Sequence, residues 1–144
     1  MKFWDSSALV PLLLNESHSA IVASILATDP EIVVWWGTPL ESCGAIWMAV
    51  QRNRVTEIDA QRAELRLAEF RRKWIEMDPH DEIRQEAERA VRIHDIRTAD
   101  ALQLAAAITA KRNLSNALPF VCLDRRLAVA AMREGLRLIP EMSN

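Results

Sequence analysis

Apolar and polar residues along the chain follow two spacings, and each spacing predicts one kind of element. Short apolar runs rich in β-branched and aromatic residues predict strands. The run 31–35, Glu-Ile-Val-Val-Trp, is of this kind. The predicted strands cover residues 2–4, 31–35, 120–123 and 136–139, with a weaker one at 74–77.

The segments between these runs carry apolar residues three and four positions apart, which predicts helices. The predicted helices cover residues 7–14, 17–27, 38–52, 56–73, 81–93, 97–111 and 125–133. The segment 38–41, Thr-Pro-Leu-Glu, is typical of a helix start, with a Thr cap, Pro next and Glu three residues after the cap. Gly135 predicts the end of the last helix.

Strands that alternate with helices predict an α/β fold with a parallel sheet covered on both faces. We therefore expect a three-layer α/β/α architecture with a central, mostly parallel sheet of four or five strands. The 144 residues are half apolar and one quarter charged, as expected for one globular domain over residues 1–144. The three glycines are scattered, which excludes the glycine-rich phosphate loops of nucleotide-binding proteins.

Composition also bears on location and partners. No apolar run is long enough to cross a membrane, and an acid at position 5 interrupts any signal peptide, so we expect a cytoplasmic protein. Cys43 and Cys122 are expected as buried free thiols, and three scattered histidines make a zinc site unexpected. The net charge of −2 is not typical of a nucleic-acid binder. Bound divalent metal would be the natural way to offset acids locally.

Four acids fall at predicted positions that share one edge of such a sheet. Asp5 follows the first strand, Asp124 follows strand 120–123, Glu41 lies in the first turn of helix 38–52, and Asp100 lies in the first turn of helix 97–111. Carboxyl ends of strands and starts of crossover helices meet at this edge. Carboxylates that converge repel each other unless a cation compensates, and Mg²⁺ and Mn²⁺ prefer oxygen ligands. The pattern thus predicts a divalent-metal site suited to phosphodiester hydrolysis.

Each acid also has a purely structural interpretation. Asp5 and Asp124 precede helices and can cap them, and Glu41 can be the second member of a capping box. Asp100 lies on a helix that is apolar almost all round, where an ion pair with Arg97 would neutralise it. No single acid distinguishes these interpretations from a metal site, but the four positions together favour the metal site.

Four segments resemble the motifs of the PIN-domain family, and in particular its VapC-type toxins. They are residues 3–9 (FWDSSAL), residues 38–41 (TPLE), residues 94–105 (HDIRTADALQLA) and residues 120–128 (FVCLDRRLA). The third segment matches the VapC pattern most closely. Their order and spacing extend the resemblance over nearly the whole chain.

The resemblance implies a Mg²⁺- or Mn²⁺-dependent endoribonuclease that cleaves structured RNA, tRNA or rRNA, and thereby inhibits translation. It also implies a cognate VapB-like antitoxin and a homodimer. Asp5, Glu41, Asp100 and Asp124 would be the metal-binding, catalytic acids, and Ser6 would hold the site's shape or contact phosphate. One departure is Cys122, two residues before the fourth acid, where the family often has Ser or Thr. A thiol is a weak hydrogen-bond donor and a poor ligand for hard cations.

Arg97, Arg125 and Arg126 flank the acids and are expected to bind RNA phosphates, or else to pair with acids at the surface. Helices 39–52 and 56–73 are expected to form the antitoxin groove. On the second of these helices we expect the residues Ile58, Leu65 and Ala68 to face inward. Core packing is expected for the tryptophans Trp4, Trp35, Trp36 and Trp47.

Two other functions remain as alternatives. One is a catalytically inactive PIN-fold module that binds a protein partner. The other is a phosphoryl-transfer enzyme with Asp5 as the nucleophile, but such enzymes usually have a second Asp two residues on, where this chain has Ser7.

Overall fold

The computed structural model describes residues 1–141 and contains one sheet of five parallel strands. The strands are β1 (Lys2–Trp4), β2 (Ile32–Trp35), β3 (Ile75–Met77), β4 (Phe120–Val121) and β5 (Leu138–Ile139). Their order across the sheet is β3-β2-β1-β4-β5. Phe3 of the central strand pairs with Val33 of β2 on one side and with Phe120 of β4 on the other. The strand order reverses at β1 and β4, the place where ligands bind in open α/β sheets.

Residues 1–141 also form seven helices, which cover the sheet on both faces. They are α1 (Ser6–Leu13), α2 (Ser19–Thr28), α3 (Thr38–Gln51), α4 (Glu57–Arg71), α5 (Asp81–Ile93), α6 (Thr98–Asn113) and α7 (Arg125–Arg133). Helices α5, α6 and α7 cover one face, α1 and α2 cover the other, and α3 and α4 pack against α1. The predicted three-layer α/β/α fold is confirmed. Residues 142–144, which the sequence analysis includes in the domain, lie outside the described residues.

The strands are buried on both sides, which explains why they are almost continuously apolar. Successive side chains of a strand point to opposite faces. Phe3 and Val33 therefore pack under α5, α6 and α7, whereas Trp4 and Val34 pack against α1 and α2.

Strand β4 is shorter than predicted, because it ends at Val121 and not at residue 123. The backbone N–H groups of Leu123 and Asp124 donate to the Ser7 hydroxyl at 2.9 Å and 3.2 Å, and not to a neighbouring strand. Beyond the end of β4, the Ser7 side chain of α1 therefore replaces a neighbouring strand as the hydrogen-bond partner of these backbone groups.

Strand β5 begins two residues later than predicted, at Leu138. Gly135 follows the last turn of α7 with φ +71°, as the sequence predicts, and the N–H of Leu136 still donates to Ala131 of that helix. The chain can start a strand only after this helix-ending turn.

The start of α3 is predicted correctly, but its cap is not the expected one. Gly37 occupies the cap position, and Thr38 is already the first helical residue. The Thr38 hydroxyl accepts a hydrogen bond from Gln103 of α6, so it ties two helices together and does not cap its own helix.

The inward face of α4 differs from the prediction. Ile58 and Leu65 are 61% and 68% exposed, and Ala68 is also exposed. The buried positions are Ala60, Ala63 and Leu67. The small alanines on this face allow α4 to approach α3 and α1 closely, and Ile58 and Leu65 lie on the outer face.

Two of the aromatic and thiol predictions also need correction. Trp4 and Trp35 are buried and Trp47 is half-buried, but Trp36 is 53% exposed. Trp36 comes directly after β2, where the chain leaves the sheet. Both cysteines are free, and Cys122 is buried, but Cys43 is half-buried and lies 3.4 Å from a Glu64 carboxylate oxygen.

Within residues 1–141, none of the helices combines the length and the apolar character that crossing a bilayer requires.

Candidate functional site

Asp5 is a buried carboxylate at the carboxyl end of the central strand. Its Oδ2 accepts a hydrogen bond of 2.9 Å from the Ser7 N–H, so Asp5 caps α1. Burial raises the pKa of Asp5 from 3.8 to about 6, and the charges of Asp100 and Asp124 add to the rise. The hydrogen bonds from Ser7 lower the pKa and only partly offset that effect. Capping therefore explains the backbone geometry of Asp5, but leaves a costly buried charge.

Asp124 lies beside Asp5 because Ser7 forms hydrogen bonds with both residues. The Ser7 hydroxyl of α1 accepts the backbone N–H of Asp124, and the Asp124 carboxylate caps α7 by accepting from Leu127 at 2.8 Å. Cys122 fills the space between the two acids, with its sulfur 3.8 Å from Asp5 Oδ2 and 3.4 Å from the Asp124 backbone oxygen. Burial raises the pKa of the Cys122 thiol, and the Asp5 charge raises it further, so the sulfur stays protonated.

Glu41 is held beside Asp5 by two side chains from other helices. The Ser6 hydroxyl donates to Glu41 Oε2 at 3.2 Å, and Gln103 Nε2 of α6 donates to Glu41 Oε1 at 3.1 Å. Burial raises the pKa of Glu41 from 4.5 to about 7, with the Asp5 charge as the next cause. Gln103 is fully buried and its Oε1 has no partner among the described residues.

Asp100 lies in the first turn of α6. Its Oδ2 accepts the Arg97 backbone N–H at 3.4 Å, while the Arg97 side chain is exposed. Burial raises the pKa of Asp100, and the Asp124 carboxylate adds to the rise, whereas the charges of Arg97 and Arg126 lower it. The charge of Asp100 therefore interacts with those of Asp124 and Asp5.

The acids meet in one cavity of 280 Å³, which we call the acid cavity. Asp5, Asp100 and Asp124 line it together with Ser6, Ser7 and Glu16. Glu41 adjoins it through the hydrogen bond to Ser6. Two of the four predicted acids directly precede α1 and α7, and the other two lie in the first turns of α3 and α6, so they converge although they are far apart in sequence.

The donor set fits a hard divalent cation in its chemistry. Carboxylate oxygens are the ligands that Mg²⁺ and Mn²⁺ prefer, and mutual repulsion of the carboxylates is the cost that a cation removes. Within residues 1–141, however, no three His, Cys, Asp or Glu side chains stand close enough together to hold a metal ion unaided. The metal-binding and catalytic roles of the four acids stay predictions.

Comparison with known proteins extends the description of the fold. The chain is similar to the crystal structure of PAE2754 from Pyrobaculum aerophilum. The TM-score is 0.64 at 21% sequence identity, over 96% of this chain and 83% of that one. None of the protein-family models matches the chain, and neither does any curated protein. At this identity the likeness establishes the architecture alone.

The predicted substrate-binding residues lie around the acid cavity. Ser6 lines it and binds Glu41, which favours the shape-holding role over phosphate contact. Arg125 and Arg126 are exposed in the first turn of α7, directly after Asp124. Arg97, also exposed, precedes α6. Their binding of RNA phosphates stays a prediction.

Three further residues of the site escaped the sequence analysis. Ser7 organises the loop before α7, but a serine that bonds distant backbone groups has no spacing that reveals it. Glu16 lines the cavity from the loop after α1, again without a sequence signal. Gln103 did carry one, since an amide in the apolar stretch 101–108 needs a buried partner.

Proposed function

We propose that this protein is a metal-dependent endoribonuclease of the PIN-domain, VapC-like type. The observation that carries the proposal is the acid cavity, which brings together the buried Asp5, the half-buried Asp100 and the exposed Asp124, with Glu41 alongside. Stability does not require this convergence, since desolvation and repulsion both oppose it. Ionisable groups whose pKa values are shifted in this way cluster at functional sites.

Asp5, Asp100 and Asp124 would hold Mg²⁺ or Mn²⁺, with Glu41 beside them. When bound, the cation supplies charge stabilisation at the phosphodiester and an activated water. The chain's own residues fix the geometry. Ser7 fixes Asp5 through its N–H and fixes Asp124 through its hydroxyl.

Glu41 is the acid best suited to exchange a proton near neutral pH, because its pKa is raised to about 7. Ser6 and Gln103 hold its two oxygens in separate hydrogen bonds, so that its orientation is set before substrate arrives.

Arg125 and Arg126 would bind RNA phosphates beside the cavity. The net charge of −2 is thus compatible with RNA binding, because the cations are concentrated where the substrate would lie. We propose structured RNA, tRNA or rRNA, as the substrate, with inhibition of translation as the consequence, in the cytoplasm.

A cleavage assay tests the proposal. We expect the protein to cleave tRNA or rRNA with Mg²⁺ or Mn²⁺ and to lose this activity in EDTA. Asp100→Asn should reduce cleavage at least about 100-fold while leaving the circular dichroism spectrum unchanged, a loss in the range for one electrostatic or acid–base group. Glu31→Gln, a neutralised exposed acid at the opposite edge of the sheet, is the matched control and should retain full activity. Cleavage by Asp100→Asn at the wild-type rate would overturn the assignment.

A groove between α3 and α4 favours binding of a protein partner in addition. It encloses 450 Å³, and its walls include Trp36 and Leu40, which are 53% and 76% exposed. Exposed large apolar side chains beside a groove are typical of protein-binding surfaces. We propose this groove for a VapB-like antitoxin, and a homodimer as the oligomeric state.

The alternative function, an inactive PIN-fold module that binds a partner, rests on the same groove. It predicts tight binding of a small protein partner but no RNA cleavage with any divalent metal. Leu40→Ser should weaken partner binding in both cases, so the cleavage assay is what separates them.

A further inference from the structure

A second cavity, of 340 Å³, lies next to the acid cavity along α7, and we call it the arginine cavity. One wall is α7, with Arg125, Arg126 and Arg133, and the other is the loop 94–96 between α5 and α6. Asp124, which lines the acid cavity, directly precedes Arg125, and the charge of Arg126 acts on Asp100. The two cavities therefore share the first turn of α7.

The arginine cavity carries an excess of positive charge. All three arginines are exposed, and none of them forms an ion pair with a residue in the described range 1–141. One acid, Asp95, lines the cavity as well. Glu134, the neighbour of Arg133, does not neutralise it, because its carboxylate is bound by Arg89 at 2.7 Å and by His94 at 2.6 Å.

The arginines also have a useful spacing. Arg125 and Arg133 lie eight residues apart on one face of α7, which is about 12 Å along the helix axis. This distance separates the two backbone positions, and both side chains reach into the arginine cavity. The spacing suits an extended chain of phosphates that runs from the acid cavity along α7.

Between the arginines the cavity is lined by apolar residues, Ile96 of the loop and Val129 of α7. The volume of the arginine cavity lies in the range of about 300–1,000 Å³ that small-ligand sites occupy. Guanidinium groups stack on aromatic rings and bind phosphates bidentately. A base is itself an aromatic ring, so it can stack on one guanidinium group beside the apolar residues while its phosphate pairs with another arginine.

We propose that the arginine cavity is a nucleotide subsite, which binds one nucleotide of a single-stranded RNA segment next to the phosphodiester in the acid cavity. Arg133 is the residue that defines it, since it is remote from the acids. The subsite deepens the proposed function and rests on it for the identity of the ligand. The bound pair Glu134–His94 holds the loop 94–96 in place as the opposite wall.

The test is binding of a fluorescein-labelled, single-stranded RNA octamer to the full chain in EDTA, followed by anisotropy over a range of NaCl concentrations. Arg133→Gln should weaken binding about five- to tenfold and reduce the slope of log K against log [NaCl] by about 0.7, the contribution of one phosphate contact. Arg137→Gln is the matched control, because Arg137 is an exposed arginine that does not line the arginine cavity, and it should change affinity less than about twofold.

Equal losses from Arg133→Gln and Arg137→Gln, or no RNA binding by the wild-type protein, would overturn the subsite. Displacement of the RNA by octaglutamate, with the same dependence on Arg133, would also overturn it and would indicate an acidic protein segment as the occupant. Because EDTA prevents metal-dependent cleavage, the outcome is separate from that of the cleavage assay. RNA binding that depends on Arg133, without any cleavage, would support the subsite and refute the nuclease. RNA cleavage together with binding that does not depend on Arg133 would support the nuclease and refute the subsite.

Discussion

At the scale of single residues, the carboxyl groups of Asp5 and Glu41 determine how the site responds to pH. Both are withdrawn from water, and both face other carboxylates, so their protonated forms are favoured in the folded protein. In the unfolded chain neither constraint applies. Folding is therefore coupled to proton binding at these two positions.

We expect the free energy of unfolding to fall as pH rises from about 5 to 8, in the absence of divalent metal. The folded state binds more protons than the unfolded state in this range, because the pKa values are raised to about 6 for Asp5 and about 7 for Glu41. The stability they contribute is complete below their unfolded pKa values and is lost as pH passes through the folded ones. Urea unfolding at several pH values measures it.

Glu41→Gln should flatten this pH dependence, whereas Glu69→Gln, which changes an exposed glutamate of α4, should leave it as in the wild type. A free energy of unfolding that rises from pH 5 to 8 in wild-type protein would contradict the burial of these acids.

The sequence revealed the acids of the site but not the groups that position them. Asp5, Glu41, Asp100 and Asp124 could be located from their places at strand ends and helix starts. Ser7 could not, because its hydroxyl bonds backbone groups more than one hundred residues away. Contacts of this kind depend on tertiary structure and have no local pattern.

At the scale of elements, α4 shows how a periodic pattern can be assigned to the wrong face. The predicted inward face contains Ile58 and Leu65, yet the helix buries Ala60, Ala63 and Leu67. Both sets of residues fit a helical period, so the period alone does not identify the buried face. The close contact of α4 with α3 requires small side chains, which the isolated helix cannot reveal.

Two leucines of α4 therefore form a matched pair for stability measurements. Leu67→Ala should lower the free energy of unfolding by about 2–3 kcal/mol, because Leu67 is 6% exposed and leaves a cavity. Leu65→Ala should change it by less than about 0.5 kcal/mol, since Leu65 is 68% exposed. Urea unfolding of both variants gives the comparison, and equal losses would contradict the observed orientation of α4.

Leu67 also lines the proposed partner groove from α4. Substitutions at Leu67 or at the half-buried Phe70 would disturb the core as well as the groove. Leu40, by contrast, is 76% exposed and tests the groove without that complication.

At the scale of the whole molecule, the fold was predictable because two spacings alternate along the entire chain. Strand runs such as 31–35 and helix starts such as 38–41 determine a parallel α/β sheet, and the handedness of crossovers then restricts the topology. Element ends were less predictable. Strand β4 ends early because Leu123 and Asp124 donate their N–H groups to the Ser7 hydroxyl, and β5 starts late because the N–H of Leu136 donates to Ala131 of α7.

The net charge of −2 does not show how the fold separates positive from negative side chains. The acid cavity and the arginine cavity lie side by side along α7, although their residues are scattered through the sequence. A divalent cation in the first and phosphates in the second would neutralise both. Binding of a cation in the acid cavity is therefore the property on which the proposed nuclease activity depends.

The most direct test is titration of the metal-free protein with Mn²⁺ at pH 8, followed by calorimetry and by the melting temperature. We predict saturable Mn²⁺ binding that raises the melting temperature, is lost in Asp5→Asn and Asp100→Asn, and is retained in Glu31→Gln. Wild-type protein that binds no Mn²⁺, or an Asp100→Asn variant that binds it as well as wild type, would contradict the account.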